Sequence, residues 1–454
     1  MIKLRVKLTL MLLMTGLLHS QVSAQQDANW QVSQLRIHGS NTVGEKYAPL
    51  LISEFLKKQG FALIETRQSN IAVEQTILAT DIEIDIETIS QANRRIDVEL
   101  HAHGSSTGFK DLLAGKTDIA MSSRKIKPTE QQQLAAIYPS FASGDAEHII
   151  AYDALAIVLH PDNPVETLTL SQIAAIFSGE IADWSELGAE PGAIRVLARD
   201  NNSGTFDTFK SLVLKQFDQS LIESAERFES SKQLADTVES DSHAIGFVGI
   251  SHIGNNKVLS IATEQGASGI KPDKFTIGTE DYPLSRKLYL YWPTEIDLTA
   301  AQAFVEFAMS ESGQRLAKQA DLISFFPTGS RPSFKGQQLL KPYANLVTFG
   351  RRLSVMLRLE DNQVDAKVRR DLQRIARYKE QNPHNRMVLA GFWDDPEFTE
   401  SSQQQVKQWM HLLKKELINY KVQPWEVQGG FLPIENNDIA SGKAVNRRIE
   451  VWVL

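Results

Sequence analysis

Three short turns constrain this chain more than any other feature. Gly39-Ser40-Asn41-Thr42, Gly104-Ser105-Ser106-Thr107-Gly108 and Arg199-Asp200-Asn201-Asn202-Ser203-Gly204-Thr205 each combine glycine with small hydroxyl or amide residues. Each leads into an amphipathic helix pattern, at 47–58, 109–114 and 206–217. A helix start presents free backbone N–H groups and the positive end of the peptide dipole, so it suits an anion. Serine and threonine add hydroxyl donors, and glycine lets the backbone approach closely. Three such starts converging on one point would cradle a small tetrahedral oxyanion.

The turns sit in a chain that alternates strand-like and helix-like segments over 34–330, the pattern of an α/β protein. Strands are expected at 35–38, 97–101, 147–160, 194–197, 244–248 and 287–292, with helices at 170–177 and 300–319. The polar stretch 68–94 reads as a surface insertion. At 454 residues the chain is too long for one ordinary domain. Around 327–342 the composition shifts to Pro, Gly, Ser, Lys and Gln, and a linker is placed at 331–348. Beyond it, 349–454 reads as a smaller α+β unit. Leu353, Val355, Leu357 and Leu359 alternate as a strand face, and Val406, Trp409, Met410, Leu413 and Leu417 have helical spacing.

Lys3, Arg5 and Lys7 precede an apolar run at 8–18, and Val22-Ser23-Ala24 offers a cleavage site, so residues 1–24 read as an export signal. The run is shorter than the roughly 20 residues needed to span a bilayer. Cleavage would remove three basic residues and no acidic one, moving the net charge from −7 to −10. An acidic protein is a poor partner for nucleic acid. Any anion site must therefore work through local hydrogen bonds. The absence of cysteine rules out disulfides, thiolate metal sites and a cysteine nucleophile. No cofactor motif is present. His101 and His103 share a strand face, but with no third ligand evident they read as structural.

A longer series of matches surrounds the turns. Ile37-His38-Gly39-Ser40-Asn41-Thr42-Val43, Gly104-Ser105-Ser106-Thr107-Gly108, Thr117-Asp118-Ile119-Ala120-Met121-Ser122-Ser123-Arg124 and Ala151-Tyr152-Asp153-Ala154-Leu155-Ala156 occur in order. They are followed by Leu168-Thr169-Leu170-Ser171-Gln172-Ile173, by Ile176-Phe177-Ser178-Gly179-Glu180-Ile181-Ala182-Asp183-Trp184, by Ser203-Gly204-Thr205 and by Gly246-Phe247-Val248-Gly249-Ile250. The set resembles the phosphate-binding periplasmic proteins of ABC transport systems over almost all of 34–330. The resemblance implies two α/β lobes, about 34–147 plus 281–330 and about 148–280, closing over a ligand. It implies that Thr42, Val43, Ser105, Ser123, Arg199, Ser203, Gly204 and Thr205 bind phosphate, with Arg199 as the cation. Ser123 stands where some relatives carry an aspartate that rejects sulfate, and Asn201 holds the position of the arginine's usual acidic partner. Another oxyanion therefore stays open. Read alone, Asp153 is structural and Arg124 a surface ion pair.

At the C-terminus, Gly442-Lys443-Ala444-Val445-Asn446-Arg447-Arg448-Ile449-Glu450 is similar to the closing signature of OmpA-like peptidoglycan-binding domains. Val388-Leu389-Ala390-Gly391-Phe392-Trp393-Asp394 fits the preceding strand end. The resemblance implies that Asp394 holds the peptide's diamino acid, with Arg447 available for its carboxylate. Trp409 stands at the family's arginine position, and Ser402 at its helix-start asparagine.

Together these resemblances imply a non-enzymatic periplasmic binding protein for phosphate or a similar oxyanion, tethered to peptidoglycan and with an ABC permease as a potential partner. The alternatives are a wall-linking protein with a vestigial cleft and, less favoured, a phosphatase.

Overall fold

A computed structural model describes residues 34–80, 83–84, 91–92, 94–201, 203–296, 298–332, 339–359 and 362–454. The expected export signal at 1–24 lies outside them. Among the described residues, no helix is long and apolar enough to cross a membrane.

The organising element is the thirteen-residue strand Glu147–Leu159, buried from Ile150 onward. Its near-continuous apolar run, Ala154-Leu155-Ala156-Ile157-Val158-Leu159, suits a strand covered on both faces. The first part of this strand pairs antiparallel with Ser285–Tyr291, and the last part with Ala244–Gly249. It thus runs through both halves of one large mixed sheet. In the first half, Gln34–Gly39 lies parallel between Arg95–His101 and Ile119–Ser122. In the second, Arg195–Arg199 lies parallel to Ala244–Gly249 and Glu226–Phe228. Each half has its own apolar core. One gathers Leu51, Phe55 and Phe304, the other Phe177, Phe209 and Phe247.

Two expectations change. The stretch read as an insertion supplies most of an edge hairpin, Leu63–Gln68 and Glu74–Thr80, which extends the sheet beside Arg95–His101. Its glutamates, glutamines and threonines hid the buried Ile77-Leu78-Ala79. The single helix expected at 300–319 is two, Thr299–Met309 and Glu311–Gln319. Ser310 separates them with extended backbone (φ −75°, ψ 168°), and its side chain accepts from Gly313 N–H as the second helix's cap.

Beyond the first sheet, Gly329–Ser330, Arg351–Leu357, Arg448–Val453, Met387–Phe392 and Trp425–Gly430 form a second, five-stranded sheet in that order. Helices Ala366–Gln381 and Glu400–Asn419 contribute to the core on one face, while Tyr343 and Leu346 pack on the other. Tyr343 and Leu346 belong to the helix Lys341–Phe349, so the segment read as linker contains structure of its own. The two sheets are joined by more than the chain. Arg374 Nε donates to the Phe325 carbonyl at 2.8 Å, and Arg358 pairs with Asp281 at 2.7 Å.

Candidate functional site

The turn at 39–42 hangs from the end of Gln34–Gly39. Gly39 adopts φ +137°, and a Cβ there would lie 2.1 Å from the Met121 carbonyl, so only glycine fits. The other two turns start the nine-residue helices Ser105–Leu113 and Gly204–Leu212. These starts meet across the two halves. Thr42 Oγ1 and Thr205 Oγ1 lie 3.5 Å apart. Ser105 Oγ lies 3.4 Å from Ser123 Oγ and accepts from Ser123 N–H at 3.1 Å. A Cβ on Gly204 would come within 2.3 Å of Ser123 Oγ and 2.5 Å of Ser105 Oγ, so this glycine permits the approach of one half to the other.

Ser203 Oγ caps its own helix, accepting from the Thr205 and Phe206 N–H groups. Val43 packs its side chain wholly in the first core, leaving its backbone as the part able to meet a ligand.

The cation at the junction is one that sequence reading missed. Arg286 donates through Nη1 to Thr205 Oγ1 at 3.1 Å and through Nη2 to Thr42 Oγ1 at 3.2 Å. Asp153 fixes it, accepting from Nε at 2.8 Å and Nη2 at 2.5 Å. Arg286 and Asp153 face each other on adjacent antiparallel strands and are both buried. An arginine held by a carboxylate on one edge presents its remaining N–H groups in a fixed fork. The available signal was Asp153, an acid embedded in an apolar stretch of strand, since a buried charge needs a partner.

Arg199 has other partners. Its Nε donates to the Phe228 carbonyl at 3.2 Å and Nη2 to the Glu229 carbonyl at 2.5 Å, while Nη1 donates to Ser231 Oγ. Burial holds its guanidinium below the usual arginine range. In this arrangement Arg199 braces the turn at 228–231, while Arg286 reaches the threonines of both halves. Arg124 forms the ion pair expected of it, bridging Glu130 at 2.7 Å and, across the gap, Asp207 at 3.1 Å. Lys127 joins Asp207 at 2.9 Å.

The His101–His103 pair has company that the sequence did not disclose. Glu74, Glu99 and His38 stand beside it and form two overlapping sets of metal-ligand type.

In the C-terminal sheet, Asp394 is paired with Arg447 at 2.8 Å. Arg448 is buried against Glu450 at 3.1 Å. Trp409 lies edge-on to Trp393, with ring centroids 5.1 Å apart, and donates through Nε1 to Asn362. The two residues expected to meet a wall peptide therefore meet each other.

Known proteins place the cleft in context. The chain is 26% identical to the phosphate-binding protein PstS of Borreliella burgdorferi over 241 residues, covering 52% of this chain and 82% of that one. It is 29% identical to the PstS of Pseudomonas aeruginosa over 238 residues, covering 49% and 72%. Among solved structures it is similar to an ABC-type phosphate transport receptor from Vibrio cholerae, with TM-score 0.46 and 23% identity over 64% of this chain and 99% of that one. These relatives are binding proteins, and the chain is likewise no enzyme. Residues 75–312, more than half of the chain, match the PBP superfamily domain, and the chain belongs to that superfamily.

Proposed function

We propose that the gap between the two halves binds inorganic phosphate or a closely similar tetrahedral oxyanion. The observation that carries this reading is the meeting of Thr42, Thr205, Ser105, Ser123 and Gly204 around the Arg286 fork. Asp153 balances most of the arginine's charge, so the anion is held chiefly by neutral donors and helix starts. Such a site suits a chain with net charge −7, which supplies no general positive field. Thr42, Ser105, Ser123, Ser203, Gly204 and Thr205 contribute hydroxyl or backbone donors, Val43 a backbone N–H, and Arg286 takes the role first given to Arg199. Capture proceeds by closure of the halves, with Asp207 latching Arg124 and Lys127 across the gap. No bond in the ligand is made or broken.

The export pattern at 1–24 supports a periplasmic location, and the similarity to phosphate-transport proteins supports an ABC permease as the recipient. The motif at 442–450 supports attachment to peptidoglycan through the C-terminal unit. In that mode the peptide's ammonium group must displace Arg447 from Asp394.

The test is calorimetric titration of the purified protein with phosphate, arsenate, sulfate and molybdate, beside Arg286→Ala. Saturable heat with phosphate that disappears in the variant is the expected outcome. Silence toward all four anions, or an unaltered variant, overturns the assignment. Co-sedimentation with purified peptidoglycan tests the tether separately.

A further inference from the structure

Outside the cleft, three neighbouring strands place a row of ligand-bearing side chains on one sheet face. His38 is directly opposite His101, and His101 is directly opposite Glu74. Glu99 lies two residues before His101 on the same strand, and His103 lies two residues beyond the strand's end. Residues two apart on a strand share a face, and directly opposed residues have Cβ atoms about 5 Å apart.

We propose that His38, Glu99 and His101 bind a divalent transition-metal ion, zinc being the ion whose chemistry fits. Glu99 Oε1 lies 3.0 Å from His38 Nε2 and 3.3 Å from His101 Nε2, so three ligand atoms face one point. Around a tetrahedral zinc with bonds of about 2.0–2.1 Å, neighbouring ligand atoms stand roughly 3.3 Å apart. The spacing already present is that of a site needing little rearrangement. The two imidazoles are stacked with centroids 4.2 Å apart, which aligns their edges.

An independent feature points the same way. The other nitrogen of His38, Nδ1, is 2.8 Å from Asp111 Oδ2. A carboxylate that accepts a hydrogen bond from Nδ1–H fixes the tautomer in which Nε2 carries the lone pair, the arrangement that orients metal-bound histidines. Asp111 comes from the helix Ser105–Leu113, so a helix, not the sheet alone, sets the ring. Mixed imidazole and carboxylate donors suit zinc better than calcium or magnesium. Glu74, His101 and His103 form the second set, with His103 Nε2 2.8 Å from Glu74 Oε1. No residue of either set belongs to the oxyanion site, so the two proposals stand or fall separately.

The experiment is calorimetric titration of the full chain with zinc chloride in phosphate-free buffer, repeated on His38→Gln, His101→Gln, Asp111→Asn and His103→Ala. One equivalent should bind. Asp111→Asn should weaken binding by about 10- to 100-fold, the range for an orienting partner. His101→Gln should weaken it further, and His103→Ala should change it by less than the orienting variant. Cobalt(II) should give intense visible d–d bands that His101→Gln abolishes. A circular dichroism spectrum and melting temperature like those of the unchanged chain identify a folded His38→Gln; where they are lost, the more exposed His101→Gln decides together with His103→Ala. Absence of zinc heat, wild-type affinity in His101→Gln, or loss in His103→Ala with retention in a folded His38→Gln overturns the assignment.

Discussion

The cleft and the C-terminal sheet each contain an arginine–carboxylate pair of similar length, yet the pairs are equipped for different work. Arg286 and Asp153 are closed off from solvent, with side chains 3% and 0% exposed. Arg447 is 42% exposed and lies over the Trp393 ring, while Asp394 is 10% exposed. The carboxylate of the first pair occupies one edge of the guanidinium, and the other edge points at two hydroxyls from opposite halves. In the second pair the cation covers the carboxylate, and the nearby Trp409 N–H already donates to Asn362. A buried ion pair serves recognition when it leaves donors aimed at a shared point. Otherwise it serves as a clamp.

The comparison can be broken most directly at Arg286. Arg286→Ala leaves Asp153 buried and uncompensated, which costs about 2–5 kcal/mol in comparable pairs. Phosphate affinity is expected to fall roughly 100-fold or more by titration. An affinity within a few-fold of wild type would mean that the cleft pair is also only a clamp. Gly204→Ala comes next, because its Cβ would overlap Ser105 and Ser123. Overpacking typically costs about 1–3 kcal/mol, so affinity should drop by roughly 10- to 100-fold, with the melting temperature little changed.

Arg199→Ala sharpens the contrast between the two cleft arginines. It should lower the melting temperature, because three bonds to 228–231 vanish, and weaken phosphate binding less than Arg286→Ala does. The reverse ranking would restore Arg199 as the ligand's cation. Asp207→Asn should have a smaller effect, about two- to fivefold in affinity, as expected of a half-buried latch that keeps its shape and part of its hydrogen bonding as the amide. Asp394→Asn should leave phosphate titrations untouched. If peptidoglycan binds through this carboxylate, co-sedimentation should fall in the same variant. If it does not fall, the Arg447 pair is structural.

Much of the fold was legible because its signals are local. The helix Tyr47–Lys58 follows from its apolar spacing, and the strand Glu147–Leu159 from its unbroken apolar run. The edge hairpin was not legible, because its buried residues were only Ile77, Leu78 and Ala79, a short run amid polar residues with no alternating apolar face. The break at Ser310 was missed because apolar spacing continues on both sides of the cap. In the cleft, the small-residue turns were legible from composition and position. Arg286 was not, since the strand containing it was read as beginning one residue later.

The sequence by itself determined that small-residue turns lead into helices at the cleft and that the strand Glu147–Leu159 is buried, because each depends on residues adjacent in the chain. The helices nevertheless begin at Ser105 and Gly204 and not at 109 and 206. Only the tertiary structure decided which charges meet. Asp153 finds Arg286 through an antiparallel register 133 residues away in sequence, and His38 finds His101 through a parallel register between separate strands. A one-residue slip in either register would turn those side chains to the opposite sheet face, so partner choice follows from the packed sheet and not from any local motif.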